Sequence, residues 1–294
     1  MRLRLFLLAC SIAAHASAAI SVRDDAGDTV VLQRPAQRVV SLAPHVTELL
    51  FAAGGGERIV GTVSYSDYPA AARAIPRLGD NRQVDIERLV ALKPDLLVVW
   101  RHNASSRQLE QLRQLGIPLF YSEPHRLDDI PDTLERLGRL LGTGQKAQQS
   151  AAEQRRQLGS LNARYRNRPV VRVFYQVWDR PLYTLNKQHI VSDAIRVCGG
   201  ENIFAKLPVA APQIGIEAVL QENPEAVVSG DMRDQTPAGV EIWKQYPTLL
   251  AVRRDNLFSL DSDLLNRPGP RIIAGAAALC EKLEQARRHR EDHP

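Results

Sequence analysis

The chain has 294 residues, 44% hydrophobic and 24% charged, which is enough apolar material for one large core or two smaller ones and argues against wholesale disorder. Its net charge of +5 is not a nucleic-acid signature, because Arg2, Arg4 and the tail residues Arg287, Arg288 and Arg290 supply five of the positive charges. No basic run is flanked by aromatics, which make up only 5% of the chain, so a base-stacking surface is not expected.

The first residues have the layout of an export signal. "MRLR" is a short basic region, "LFLLACSIAA" an apolar stretch, and Ala16 to Ala18 a small-residue site before Ala19. The apolar part is shorter than the ~20 residues needed to span a bilayer. Residues 1–18 are therefore expected to be removed and the mature chain exported; a lipoprotein-type site at "LLAC", ending in Cys10, is the alternative, with a very short apolar run before it. Of the remaining cysteines, Cys198 and Cys280 have no metal-site spacing, and an oxidising compartment favours a disulfide over two buried thiols.

From Ile20, "ISVRDDAGDTVVLQRP" alternates apolar residues around an Asp-Asp-Ala-Gly-Asp turn and predicts a hairpin. "RVVSL" is a strand, "TELLFAAG" a helix stopped at Gly54, and "RIVGTV" a second strand. There follow helix "IERLVALK", strand "DLLVVW", helix "SRQLEQLRQLG", strand "IPLFYS" and helix "LDDIPDTLERLGRLLG". Continuous apolar strands alternating with helices predict a parallel sheet covered on both faces. Gly144 to Asn167, rich in Ala, Gln and Arg and free of Pro, predicts one long polar helix of roughly 35 Å that would bridge two lobes. Beyond Arg168 the alternation restarts: strand "VVRVFYQV", helix "VSDAIRVCGG", helix "IEAVLQEN", strand "EAVVSG", strand "NLFSLDS" and a terminal helix "PRIIAGAAALCEKLEQARRH".

The two halves share a repeated unit. "DIERLVALKPDLLVVW" from Asp85 and "GIEAVLQENPEAVVSG" from Gly215 place Glu87 and Glu217, and Pro94 and Pro224, 130 residues apart. The expected architecture is thus α/β, with two Rossmann-like lobes of mainly parallel sheet (19–143 and 168–294) joined by a single long helix (144–167). The cleft between lobes is the favoured place for a small-molecule site. A glutamate at a helix start is by itself worth about 0.3–1 kcal/mol against the positive helix end.

"RPAQRVVSLAPHVTELLFAAG", "VGTVSYSDYP", "IERLVALKPDLLVVWR" and "VCGGENIF", in this order over almost the whole mature chain, resemble the substrate-binding proteins of metal-chelate ABC importers, in particular their cobalamin-binding branch. The resemblance implies a periplasmic, monomeric receptor with no cofactor of its own. It would hold cobalamin or a related corrinoid between two lobes with modest hinge movement, and deliver it to transmembrane permease subunits. An acidic residue on each lobe of that family docks on the permease, and Glu87 and Glu217 match those positions. Tyr65 in "SYSDYP" and Asp263 with Arg267 in "SDLLNRPGPR" match ligand-contacting segments. Asn81 and Ala211 stand where the cobalamin-binding branch has tryptophans, a loss of apolar contact of about 1.5–3 kcal/mol each if those rings are fully buried.

From its position in the loop after the first strand of the second half, Trp178 is a further cleft candidate, with core packing as the alternative. His45, in the loop before the first helix, offers a possible axial ligand to cobalt or haem iron, against a helix-entry histidine with no metal contact. His102, His125 and His189 are scattered and form no recognisable metal spacing. Neither GxSxG, a P-loop nor HExxH occurs, and "GGG" at Gly54 to Gly56 follows a helix rather than opening one, so enzymatic chemistry is not expected. A haem or ferric-siderophore receptor of the same architecture is the alternative to a corrinoid receptor.

Overall fold

The computed structural model describes residues 19–80, 83–101, 105–231 and 239–292. The proposed signal segment, Asn81 and His102 lie outside the described residues. The chain opens with the expected antiparallel hairpin, β1 (Ile20–Arg23) and β2 (Thr29–Leu32). It continues through β3 (Val39–Ser41), α1 (Pro44–Ala52), β4 (Ile59–Gly61), α2 (Ile86–Ala91), β5 (Leu96–Val99), α3 (Ser106–Gln114), β6 (Leu119–Tyr121) and α4 (Asp129–Leu141). Strands β3 to β6 form one all-parallel sheet in the order β4-β3-β5-β6. Its central strand β5 is Leu96-Leu97-Val98-Val99, all four side chains buried, as a strand covered by helices on both faces requires.

Helix α5 (Gly144–Tyr165) is the predicted bridge. It packs on α1 and α4 of the first lobe. On the second it packs on α6 (Ile190–Val197) and the terminal helix α10 (Ile272–Asp292). Close approach to α4 depends on Gly138, where a Cβ would sit 2.2 Å from that of Ala147. The end of α1 is tied to α5 by Thr143 Oγ1 donating to Ala53 O at 2.6 Å and Ser150 Oγ to Ala52 O at 2.7 Å.

The second lobe repeats the first. Strands β7 (Val171–Gln176), β10 (Gly200–Asn202), β11 (Ala226–Asp231) and β12 (Leu257–Asp261) form a parallel sheet in the order β10-β7-β11-β12. Numbered within each lobe, both sheets run 2-1-3-4. A two-stranded ribbon of β8 (Trp178–Asp179) and β9 (Leu182–Tyr183) follows β7. The short helices α7 (Ile216–Glu222), α8 (Leu250–Arg253) and α9 (Ser262–Leu265) complete the lobe.

Strand β10, Gly-Glu-Asn, is absent from the sequence reading because an edge strand paired only with β7 carries no buried apolar alternation. Cys198 and Cys280 form a disulfide, both cysteines fully buried, that pins the end of α6 to α10. One apolar core runs without a break from Val22 through α1, α4 and α5 to α6 and α10, so the lobes share a hydrophobic centre.

Candidate functional site

In a sheet ordered 2-1-3-4 the chain leaves strand 1 toward one edge and returns to strand 3 toward the other. This opens a crevice at the carboxyl ends of those two strands, where ligands of open α/β sheets bind. In the first lobe those ends are Ser41, leading to α1 with His45, and Val99, leading to Trp100. The His45 and Trp100 rings meet edge to face, centroids 4.9 Å apart and planes at 88°. In the second lobe strand β7 delivers Trp178 to the same kind of position.

Between the lobes lies a cavity lined by Trp100, Glu123, His125, His189, Ala210 and Pro268, among others. Its volume of about 40 Å³ is far below the ~300–1,000 Å³ of cofactor-sized sites. Admission of a large ligand at this level therefore requires the lobes to part. The indole Nε1 of Trp100 donates to Glu123 Oε1 at 3.1 Å, and Glu123 N donates to Asp25 Oδ2 at 2.6 Å. Asp25 is held in turn by Arg136, 2.6 Å away. The N-terminal hairpin thereby fixes the wall of the cavity from behind.

His45 is 1% exposed and does not line the cavity. Its Nε2 is buried without a hydrogen-bond partner among the described residues. Burial first, and then the nearby Arg267 charge, lower its pKa to about 3, so the ring is neutral at physiological pH. A Cβ on Gly269 would lie 3.2 Å from His45 Cβ, so the Gly269 backbone closes the other approach.

Tyr65 is the most exposed of the large apolar side chains among the described residues, at 73%, and its backbone sits in the left-handed region at φ 64°. For a bulky residue that is strained geometry, which persists only when the surroundings over-determine it. They do so here. Ser64 N and Oγ both donate to Gly79 O at 2.8 and 3.0 Å, and Ser66 ends a buried hydroxyl chain through Thr62 and Thr47 to Ser41.

Asp263 and Arg267 do meet, with Arg267 Nη2 2.9 Å from Asp263 Oδ1, but they belong to a larger network that crosses the cleft. Arg267 also reaches Asp67 at 2.9 Å, and Arg271 binds Glu48 through both oxygens, at 2.8 and 2.7 Å. Burial pushes the Asp67 carboxyl up, but the Arg267 hydrogen bond and charge, with Arg271 behind, hold it below its ordinary value. The Arg271 guanidinium also lies over the Tyr68 ring, 4.2 Å from its centroid. Glu48, on α1 of the first lobe, is only 3% exposed. Charges this deep are tolerated because each is paired and hydrogen-bonded. The sequence reading missed Glu48, Arg271 and Trp100; the available signal was a glutamate inside the apolar run of α1, which demands a buried cation.

Trp178 is half-buried, its Nε1 donating to Arg180 O at 3.0 Å. Ala211 is exposed, next to the cavity-lining Ala210. Glu87 and Glu217 are both exposed, each the second residue of a short helix, α2 and α7, that leads into strand 3 of its own lobe. His125 and His189, scattered in the sequence, come together on the cavity.

A family model described as "Periplasmic binding protein" matches residues 39–264. The chain belongs to this family. It is 35% identical over 259 residues to the vitamin B12-binding protein of Vibrio parahaemolyticus, a match that covers 87% of this chain and 92% of that protein. The crystal structure of the periplasmic vitamin B12-binding protein BtuF of Vibrio cholerae superposes with a TM-score of 0.80 at 35% identity, covering 86% of this chain and 98% of the other. A periplasmic heme-binding protein from Pseudomonas aeruginosa has the same fold, with a TM-score of 0.70 at 25% identity over 83% of this chain and 91% of its own. No helix among the described residues is long and apolar enough to cross a membrane.

Proposed function

We propose that this protein is an exported, non-enzymatic receptor. It captures cobalamin or a related corrinoid in the cleft between its lobes and hands it to an ABC importer. The observation that carries this reading is likeness at two levels: 35% identity and a TM-score of 0.80 to a vitamin B12-binding protein, covering almost all of that chain. The inter-lobe crevice walled by Trp100 supports this reading, and Tyr65 and Trp178, which do not line that crevice, would add aromatic surface for a corrin ring. Asp263, Arg267, Asn81 and Ala211 would complete the contacts, and His45 would serve as the wall behind Trp100.

The mature protein would start at Ala19, after removal of the signal segment, and act as a monomer in the periplasm. Glu87 and Glu217 would dock one on each permease subunit. Support for that role comes from their equivalent places ahead of strand 3 in the two lobes, both exposed. The likeness to a heme-binding protein keeps haem as the second reading. Mixing the purified protein with cyanocobalamin or haem and desalting separates the two. Corrin absorbance is expected to travel with the protein; a haem Soret band with no corrin retained would contradict the corrinoid reading.

A further inference from the structure

Arg267 is hemmed in by carboxylates. Its Nη2 lies 2.9 Å from Asp263 Oδ1 in its own lobe, and its Nη1 lies 2.9 Å from Asp67 Oδ1 and 3.5 Å from Glu48 Oε1 in the other. The next residue, Pro268, lines the inter-lobe cavity. The two acids of the first lobe differ in depth. Glu48 is sealed and already holds Arg271 through both oxygens. The Asp67 side chain is 43% exposed, against 16% for Arg267, so it stands on the solvent side of the guanidinium it binds.

Asp67 is fixed in that place by its neighbours. Its carbonyl oxygen accepts from Arg73 Nε at 3.4 Å. The preceding Ser66 carbonyl accepts from Arg77 Nη2 at 2.8 Å, and the Ser66 hydroxyl ends the buried chain that starts at Ser41. The ring of the following residue, Tyr68, lies under Arg271. When the lobes part, the deep Glu48–Arg271 fork is costly to break and the half-exposed Asp67–Arg267 contact is the cheaper one to give up. Its separation leaves a donor on one lobe facing an acceptor on the other.

A primary carboxamide has the complement of both groups: a carbonyl oxygen that accepts and an amino group that donates. Bridging the parted pair, it gives Arg267 an acceptor and Asp67 a donor. A carboxylate in the same place satisfies Arg267 but sets a like charge against Asp67, which costs affinity. We infer that Asp67 is a specificity-determining residue, which together with Arg267 accepts the carboxamides at the rim of a corrinoid and rejects carboxylates. This rests on the corrinoid reading above and names the chemical group that the rim of the site selects. Haem, whose polar groups are carboxylates, is disfavoured by the same residue.

Titration calorimetry with cyanocobalamin and its three monocarboxylic acids, each with one propionamide hydrolysed, tests this with ring and metal unchanged. Wild-type protein is expected to bind at least one of the three acids more weakly than cyanocobalamin, by roughly tenfold. Asp67→Asn and Asp67→Ala are expected to bring that acid to within about twofold of cyanocobalamin by removing the like charge. Circular dichroism checks that both variants are folded, and the half-exposed position of Asp67 favours this. Equal binding of cyanocobalamin and all three acids by wild-type protein overturns the inference, as does a penalty that survives in both variants. Failure of wild-type protein to bind cyanocobalamin contradicts the receptor reading itself, which is a separate outcome.

Discussion

Arg271 of the second lobe grips Glu48 of the first through two parallel hydrogen bonds, Nε to Oε2 at 2.8 Å and Nη2 to Oε1 at 2.7 Å. The pair lies beside the cleft, its carboxylate side chain 2% exposed and its guanidinium 18%. A fork-to-fork pair of this kind fixes orientation as well as distance. It makes the closed arrangement of the lobes a specific geometry rather than a loose apolar contact.

Removing one member of a buried pair leaves the other charge uncompensated. Glu48→Ala is expected to destabilise the protein by about 3 kcal/mol, read as a lowered urea midpoint. The double variant Glu48→Ala/Arg271→Ala should be less destabilised than the sum of the single changes. Strict additivity in that cycle would show that the two residues do not interact energetically.

His45 gives stability a particular pH dependence. Its folded pKa of about 3 lies below the 6.5 of an unperturbed imidazole, so the unfolded chain binds the proton first. The contribution of its neutral form is fully present above pH 6.5 and is lost as pH falls toward 3. Between pH 7 and pH 5 this single group should remove about 2 kcal/mol of stability. Denaturant titrations of wild type and His45→Gln across that interval should differ in slope by this amount; parallel curves would refute the assignment.

The disulfide between Cys198 and Cys280 closes a loop with a sequence separation of 82. Loop-closure entropy then predicts a loss of about 4 kcal/mol on replacing both cysteines by alanine. Calorimetric unfolding checks this, with a midpoint unchanged from wild type as the contrary result.

Charge reversal at Glu87 and Glu217 together should abolish capture by the permease and leave corrinoid retention as it was, because both side chains are exposed at the heads of α2 and α7. Pull-down on permease-containing vesicles measures the first effect and desalting the second. Intact capture by the doubly reversed protein would end the docking proposal.

Much of the fold was legible because its signals are local. Leu96 to Val99 announce a buried parallel strand, and the strongly amphipathic α4 ends at Gly142, whose φ of 67° suits glycine. The repeated Ile-Glu unit marked the duplication, and its two copies do precede strand 3 of equivalent sheets. The site was less legible because it is assembled over long sequence distances. Glu48 and Arg271 are 223 residues apart, and His125 and Gln188 are 63 apart. Nothing near His125 in the sequence reveals that its ring pairs with a carbonyl of the other lobe, Gln188 O, 2.9 Å away. His45 looked available in the sequence because burial by Trp100 and the Gly269 backbone is invisible there.

Isothermal titration with cyanocobalamin, cobinamide and haem as parallel ligands tests the central claim most directly. The account predicts saturable one-to-one binding of a corrinoid, tighter than that of haem. No heat and no saturation with either corrinoid, on protein shown to be folded, would contradict it.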